Sequence, residues 1–432
     1  MRYDVGRFRR PMRRGAMEQL VSLISLGDGS TLTLDFTTGV LDSRLTFTRA
    51  STTATYINSS GYVTTAGTNV PRFDYDPTTL APRGLLIEAA ATNLLCWSES
   101  FATSGGTTNW TYNGNSGATV TETNPAGGSS SFQFRENSGS GPLSQTVTTV
   151  STSPYTYSFW VRASVFNSVT TTQIQVGIFT TAFQTVSISK ISGPGSVSGT
   201  GLCTVSGLSL TEWTKVQVTT TGNIGATSAS VMLYAQTASF ELDRSLLIWG
   251  AQVEQGSGAS SYIPTGASQA TRNADECSMT GTNFSSWYTQ SQGTLLVAGR
   301  TSARYVDSAG FDFPAILTVD SNNHIGAAVW NGVAYGIVRA GGAFRLNYAT
   351  LATVNNNSAF KTAIAFANAD YAGVANNGSP VTASSGSPPT TLNTLALGSN
   401  RAGTGNAYFG HVSLVKFWPT RLTNAQLQSL TT

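Results

Sequence analysis

Charge is the first thing this 432-residue sequence is short of. Asp, Glu, Lys and Arg supply 10% of it, well under half the usual share, so hydroxyl groups must solvate most of the surface. Histidine is scarcer still, with two residues, His324 and His411. Neither lies near a nucleophile motif, and no GxSxG, HExxH or P-loop pattern occurs. Both read as ordinary turn or strand residues. The three cysteines, Cys96, Cys203 and Cys277, are far apart and show no CxxC spacing. A disulfide framework or a zinc site is therefore not expected, and buried free thiols are. No apolar run is long enough to span a bilayer. The apolar stretch after the first arginines is broken by Glu18 and Gln19 and lacks a small-residue cleavage site, so export through a signal peptide is not expected.

Gly, Ser and Thr fill the deficit, with 44 glycines, and 40% of the residues are hydrophobic. Thr, Val and aromatic residues suit half-buried pleated surfaces, while Gly, Asn and Ser supply turns. An all-β protein of two or three domains follows. The net charge of +3 conceals an asymmetry. Arg2, Arg7, Arg9, Arg10, Arg13 and Arg14 face one acid, Asp4, within the first 14 residues, and the remainder is near neutral. This arm, 1–27, reads as an anchor on an acidic protein partner rather than on nucleic acid. Arginine outnumbers lysine 20 to 4, a bias that favours interfaces because the planar guanidinium makes bidentate contacts.

Along the chain, "TLTLDFTTGVL" and "RLTFTRAS" alternate as strands do, and "ATYINSSGYVTTA" (54–66) reads as a hairpin. Residues 28–97 read as a small β docking region. Regularly spaced strands then fill 98–263, among them "YTYSFWVRAS", "EWTKVQVTTT" and "FELDRSLLIWGAQVE", at the spacing of a sandwich. Residues 264–279 read as a linker. A further set of strands occupies 280–432 and ends with "GHVSLVKFW" and a short amphipathic helix, which Asn424 or Thr423 can cap. Leu422, Leu427 and Leu430 would pack that helix on the sandwich edge.

The order "TFTRASTTATYINSSGYVTTAGTNVPRFDYDP" and then "RGLLIEAAATNLLCWSE" resembles a segment of tailed-bacteriophage structural proteins that precedes lectin-like modules. Residues 98–263 resemble jelly-roll carbohydrate-binding modules, and 280–432 resemble the concanavalin A-like, laminin-G-like sandwich. The resemblance implies a non-enzymatic virion protein (fibre, spike or decoration) exposed on the particle. Its arm would hold other virion proteins, its copies would form a homo-oligomer, with a trimer the default, and its sandwiches would bind host-surface polysaccharide. The alternatives are a purely architectural capsid or tail protein and, behind it, a polysaccharide depolymerase. For the last, "ELDRSL" (241–246) places Leu246 where a second glutamate would be needed.

Sugar contact requires an aromatic face with polar groups beside it. Trp110 and Tyr112 in "TNWTYNGN", and Trp330, Asn331 and Tyr335 in "VWNGVAY", fit that pattern. Trp160, Trp213, Trp249 and Trp418 read as packing residues. No cofactor is expected beyond a structural calcium ion, for which Asp243 with Glu99 is the candidate pair.

Overall fold

The computed structural model describes residues 28–101, 109–137, 141–235, 244–302, 311–399 and 408–432. The six arginines of the arm lie outside them. The described chain is almost wholly β, folded into two sandwiches, with a short closing helix at Asn424–Leu430.

The first sandwich occupies the middle of the chain. Its five-stranded sheet runs Leu143–Thr148, Ser228–Tyr234, Ile174–Phe179, Cys203–Ser206, Ser196–Ser198. Its larger sheet runs Val186–Ser192, Thr214–Thr220, Tyr155–Phe166, Arg244–Gln255, Ser131–Glu136, Ser116–Val120. Alternation drives the pairing: Tyr157, Phe159, Val161, Val216 and Val218 turn inward and meet Ile174, Val176 and Val231 in one core.

The second sandwich is split in sequence, which corrects the expected division of the chain. Residues 28–97 form no layer of their own. Phe409–Trp418 lies beside Gly293–Thr301 on one flank. On its other flank, Leu32–Asp35 and Pro82–Glu88 pair with it in tandem, Leu32 opposite Phe417 and Leu85 opposite Val412. Arg72–Tyr75 closes that sheet. The facing sheet likewise takes Thr46–Thr48 as an edge strand beside Glu276–Thr280. Leu32, Leu34, Phe36, Leu45, Phe47, Leu85 and Ile87 therefore share a core with Leu295, Leu317, Ile364 and Phe417. The middle sandwich is an insertion. The chain leaves and re-enters the split sandwich through the paired strands Ala91–Asn93 and Ala270–Arg272.

Gly84 makes the tandem pairing possible. Its φ is +98°, and a β-carbon there would stand 2.4 Å from the Val412 carbonyl oxygen, so no other residue fits.

The closing helix is capped by Thr423, whose hydroxyl accepts from the Gln426 amide while the Gln426 side chain accepts from the Thr423 amide. It covers a face rather than an edge. Leu427 is fully buried with Leu422 and Leu430 beside it, against Leu296, Ala363, Ala365, Ala372 and Val374 on the outer side of the sheet. The small alanines leave room for the helix to sit close. All three cysteines are buried free thiols.

Candidate binding site

The site begins with strand alternation in the inserted sandwich. In "YSFWVR" the residues that do not enter the core are Ser158, Trp160 and Arg162; in "TKVQV" they are Lys215 and Gln217. Register places Lys215 across from Trp160 and Gln217 across from Ser158. A bulge between Ser158 and Trp160 against the neighbouring strand, together with Gly250 at φ +64°, leaves space for the Trp160 ring. A β-carbon at position 250 would approach that ring to 2.9 Å.

Part of this outer face is covered by the hairpin Ala54–Ile57 and Val63–Ala66. Val63 packs on Trp160, Trp249 and Tyr262, the Val63 amide donates to the Pro125 carbonyl (2.9 Å), and the Thr55 hydroxyl donates to the Tyr262 carbonyl (2.5 Å). The rest of the face is left open. Between it, the hairpin and the split sandwich lies a cleft of about 560 Å³, a size suited to a small organic ligand. Trp160, 7% exposed, lies deep in it, and Tyr62, 43% exposed, lies near its mouth. Trp213 is half-buried and fixed by a hydrogen bond from its indole nitrogen to the Thr123 carbonyl (2.8 Å). Asn124, Thr211, Ser192 and Asn357 add polar groups to the lining.

The charged groups of the lining are mostly paired. Arg162 donates to Glu122 (2.6 Å). Asp74 accepts from the Ile57 amide (2.6 Å) and meets His411 Nε2 at 2.8 Å. Arg83 pairs with Asp76 (2.8 Å). Lys215 is different: among the described residues it has no ion pair, and its Nζ stands 4.3 Å from the centre of the Trp160 ring. The surrounding protein pushes its ammonium pKa below the ordinary lysine value, while the carboxylates of Glu254, Glu88 and Asp74 oppose that shift.

Beneath the cleft a buried charge network ties the two sandwiches together. Asp275 accepts from Arg49 (2.9 Å), from Arg72 (2.5 Å) and from the Glu88 amide (2.9 Å). Glu88 pairs with Arg72 (2.8 Å) and Arg272 (3.6 Å) and accepts from the amide and hydroxyl of Ser261 in the inserted unit. Asn93 uses both ends of its amide, donating to the Ala251 and Ile263 carbonyls and accepting from the Leu95 and Val253 amides. Burial alone would raise the Glu88 pKa, yet the charges of Arg272 and Arg72 and the Ser261 bonds hold it well below the usual carboxylate range. A depressed carboxylate pKa gives stability that is fully present above the unfolded value, 4.5 for Glu, and lost as pH falls toward the folded value. Melting temperatures measured from pH 8 downward should therefore lose this contribution only below about pH 4.5. The wild-type advantage over Glu88→Gln should shrink in that acid range, and an advantage unchanged down to pH 3 would show that Glu88 is not held ionised by the network.

The residues singled out from the sequence are not gathered here. Trp110 and Tyr112 are core residues of the inserted sandwich. Trp110 packs on Phe101 with ring centres 4.8 Å apart, and the Tyr112 hydroxyl donates to the Phe101 carbonyl. Neither has a face for a sugar, because both rings enter the apolar interior that Phe132 and Phe134 supply. Asn331 is exposed at φ +45° and, with Gly332 at +80°, forms the two-residue turn between Asn323–Trp330 and Val333–Ala340. Trp330 and Tyr335 are half-buried on Phe311, at 5.1 and 5.0 Å. Asp243 lies outside the described residues, and Glu99 accepts from the Tyr262 hydroxyl (3.0 Å). Among the described residues no three His, Cys, Asp or Glu side chains gather as metal ligands do.

Trp160 packs with Trp249 and Tyr262, and Trp213 packs against them, as the sequence reading expects, and both in addition line the cleft. The available signal was the pair of i, i+2 patterns, Trp160 with Arg162 and Trp213 with Lys215, which put aromatic and cationic groups on one strand face.

No protein-family model matches this chain, and no curated protein matches it. Among solved structures, similar chains include the CBM40 of a Ruminococcus gnavus IT-sialidase bound to α2,3-sialyllactose, at 16% identity over 33% of this chain and 84% of that one, TM-score 0.29. Another is domain 4 of AbnA, a GH43 extracellular arabinanase from Geobacillus stearothermophilus, in complex with arabinotriose, at 14% identity over 40% and 82%, TM-score 0.29. A third is the CBM22-1 xylan-binding domain of Paenibacillus barcinonensis Xyn10C, at 18% identity over 40% and 99%, TM-score 0.25. Likenesses of this strength carry nothing over to this chain's own ligand.

Proposed function

We propose that this chain is a non-catalytic glycan-binding protein displayed on a bacteriophage particle, with its sugar site in the cleft between the two sandwiches. One observation carries the binding part. Aromatic side chains from different units, Tyr62 on the hairpin and Trp213 on the inserted sheet, line one cleft together with amide and hydroxyl groups. That combination supplies apolar faces for sugar C–H surfaces and hydrogen bonds for hydroxyls. The virion part rests on the sequence resemblance of 46–99 alone.

A hydrolase reading has less support. Glycoside cleavage needs two carboxylates free to act as acid and base or nucleophile. Of the lining acids, Asp74 is engaged by His411 and the Ile57 amide, and Glu88 by Arg72 and Ser261. Glu212 is exposed. An architectural role without sugar binding makes no use of an open cleft.

The test is binding of fluorescently labelled full-length chain to candidate bacterial cells, with their purified surface polysaccharide as competitor. Saturable binding that the polysaccharide abolishes is the expected result. Absence of binding even by a multivalent display, in which weak sites would add through avidity, would overturn the reading.

A further inference from the structure

We propose that the cleft is selective for acidic glycans, and that the Lys215 ammonium receives a carboxylate of the sugar. This rests on the glycan-binding reading above and adds the class of ligand. Four observations lead to it. Arg162, Arg83 and His411 line the same cleft, and each already faces a carboxylate of this chain, Glu122, Asp76 and Asp74. Lys215 is the lining cation that has no such partner among the described residues. The carboxylates of Glu254, Glu88 and Asp74 act on it only from beyond ion-pair distance, and a buried charge is costly without a direct partner, which an anionic ligand group would supply.

The aromatic arrangement points the same way. The ammonium lies over the face of Trp160, an attraction that orients it. Trp213, over whose ring the Arg162 guanidinium stands 5.4 Å from the centre, and Tyr62 are further aromatic side chains of the lining. Lysine also differs from arginine here. A compact ammonium accepts a single carboxylate oxygen in many geometries, whereas a guanidinium demands a planar fork. Finally, the other three lysines are not equivalent. Lys416 pairs with Asp28 (2.7 Å), Lys361 donates to the carbonyl of Thr432, and Lys190 is exposed.

The experiment uses the full chain on an array of oligosaccharides that carry uronate or other carboxylated sugars. Each is printed beside its twin in which the carboxylates have been reduced to primary alcohols. The acidic member of a pair should bind about ten- to hundredfold more tightly, the worth of a hydrogen bond to a charged group. Lys215→Met should erase that difference by weakening the acidic member toward the affinity of its reduced twin, with a cooperative melt of the variant as the check that it folds. Equal binding of both members, or a preference for the acid that survives in Lys215→Met, would overturn the acidic-ligand inference and leave the glycan reading standing. Failure of every acidic and neutral member to bind would remove the glycan reading itself, and this inference with it.

Discussion

A fragment of residues 280–432 should show no cooperative thermal unfolding, although by sequence it looks like a complete sandwich. It lacks Leu32–Asp35, Thr46–Thr48, Arg72–Tyr75 and Pro82–Glu88, all hydrogen-bonded members of its two sheets. It also loses Leu32, Leu34, Phe36, Leu45, Phe47, Leu85 and Ile87 from its core. Each such side chain contributes about 1.5–3 kcal/mol when buried. Seven of them amount to roughly 10–20 kcal/mol, as large as the whole stability of a typical domain, about 5–15 kcal/mol. Phe409–Trp418 would in addition show a bare edge along its length, a template for aggregation. A chain in which 28–93 is joined by a short linker to 270–432 should fold, because Asn93 and Ala270 are already paired neighbours. Circular dichroism and a thermal melt of the two proteins decide the matter. A cooperative melt of 280–432 would mean that the split sandwich is not one folding unit.

Asp275→Ala should lower stability by about 3–5 kcal/mol, the cost of breaking a buried ion pair and stranding its partner. Asp275 is the shared acceptor of two fully buried guanidinium groups and of the Glu88 amide. Its loss leaves Arg49 with carbonyl partners only, and Arg72 with Glu88, Ser261 and the Thr55 carbonyl. Asp42→Ala is the internal comparison. Asp42 also pairs with an arginine, Arg44 at 2.8 Å, but both remain solvent-accessible, so its loss should cost no more than about 1 kcal/mol. Denaturant titrations of both variants measure the gap. Similar small losses in the two would show that the network contributes little to holding the sandwiches together.

The same network explains what the sequence segment resembling phage proteins is for. Arg49 belongs to "RAS", Arg72 to "VPRF", Glu88 to "GLLIE" and Asn93 to "TNLL". Each is buried at the junction where the insertion begins and ends. These residues carry the fold rather than a ligand. The all-β class, the hairpin of 54–66 and the closing strand and helix were legible because alternation, turn residues and a capping box are local signals. The split sandwich was not, because the pairing of Leu32 with Phe417 leaves no trace in either stretch alone. The buried arginines escaped for a related reason. A guanidinium reads as a surface or interface group until its partners, here more than two hundred residues away for Arg49 and Arg72, are brought beside it. The cleft required both facts at once: alternation showed which face Trp160 and Lys215 occupy, but only the tertiary arrangement shows that the face is half covered and half open.

The measurement to make first is the affinity of one bound oligosaccharide for four full-length proteins: wild type, Tyr62→Ala, Trp213→Ala and Trp330→Ala. Aromatic contacts at the centre of a site usually dominate its binding energy. If the cleft is the site, Tyr62→Ala and Trp213→Ala should each weaken binding by about tenfold or more, and Trp330→Ala should leave it unchanged. Loss of binding in Trp330→Ala alone would move the site to the aromatic cluster around Phe311 and leave the cleft as nothing more than the seam between two sandwiches.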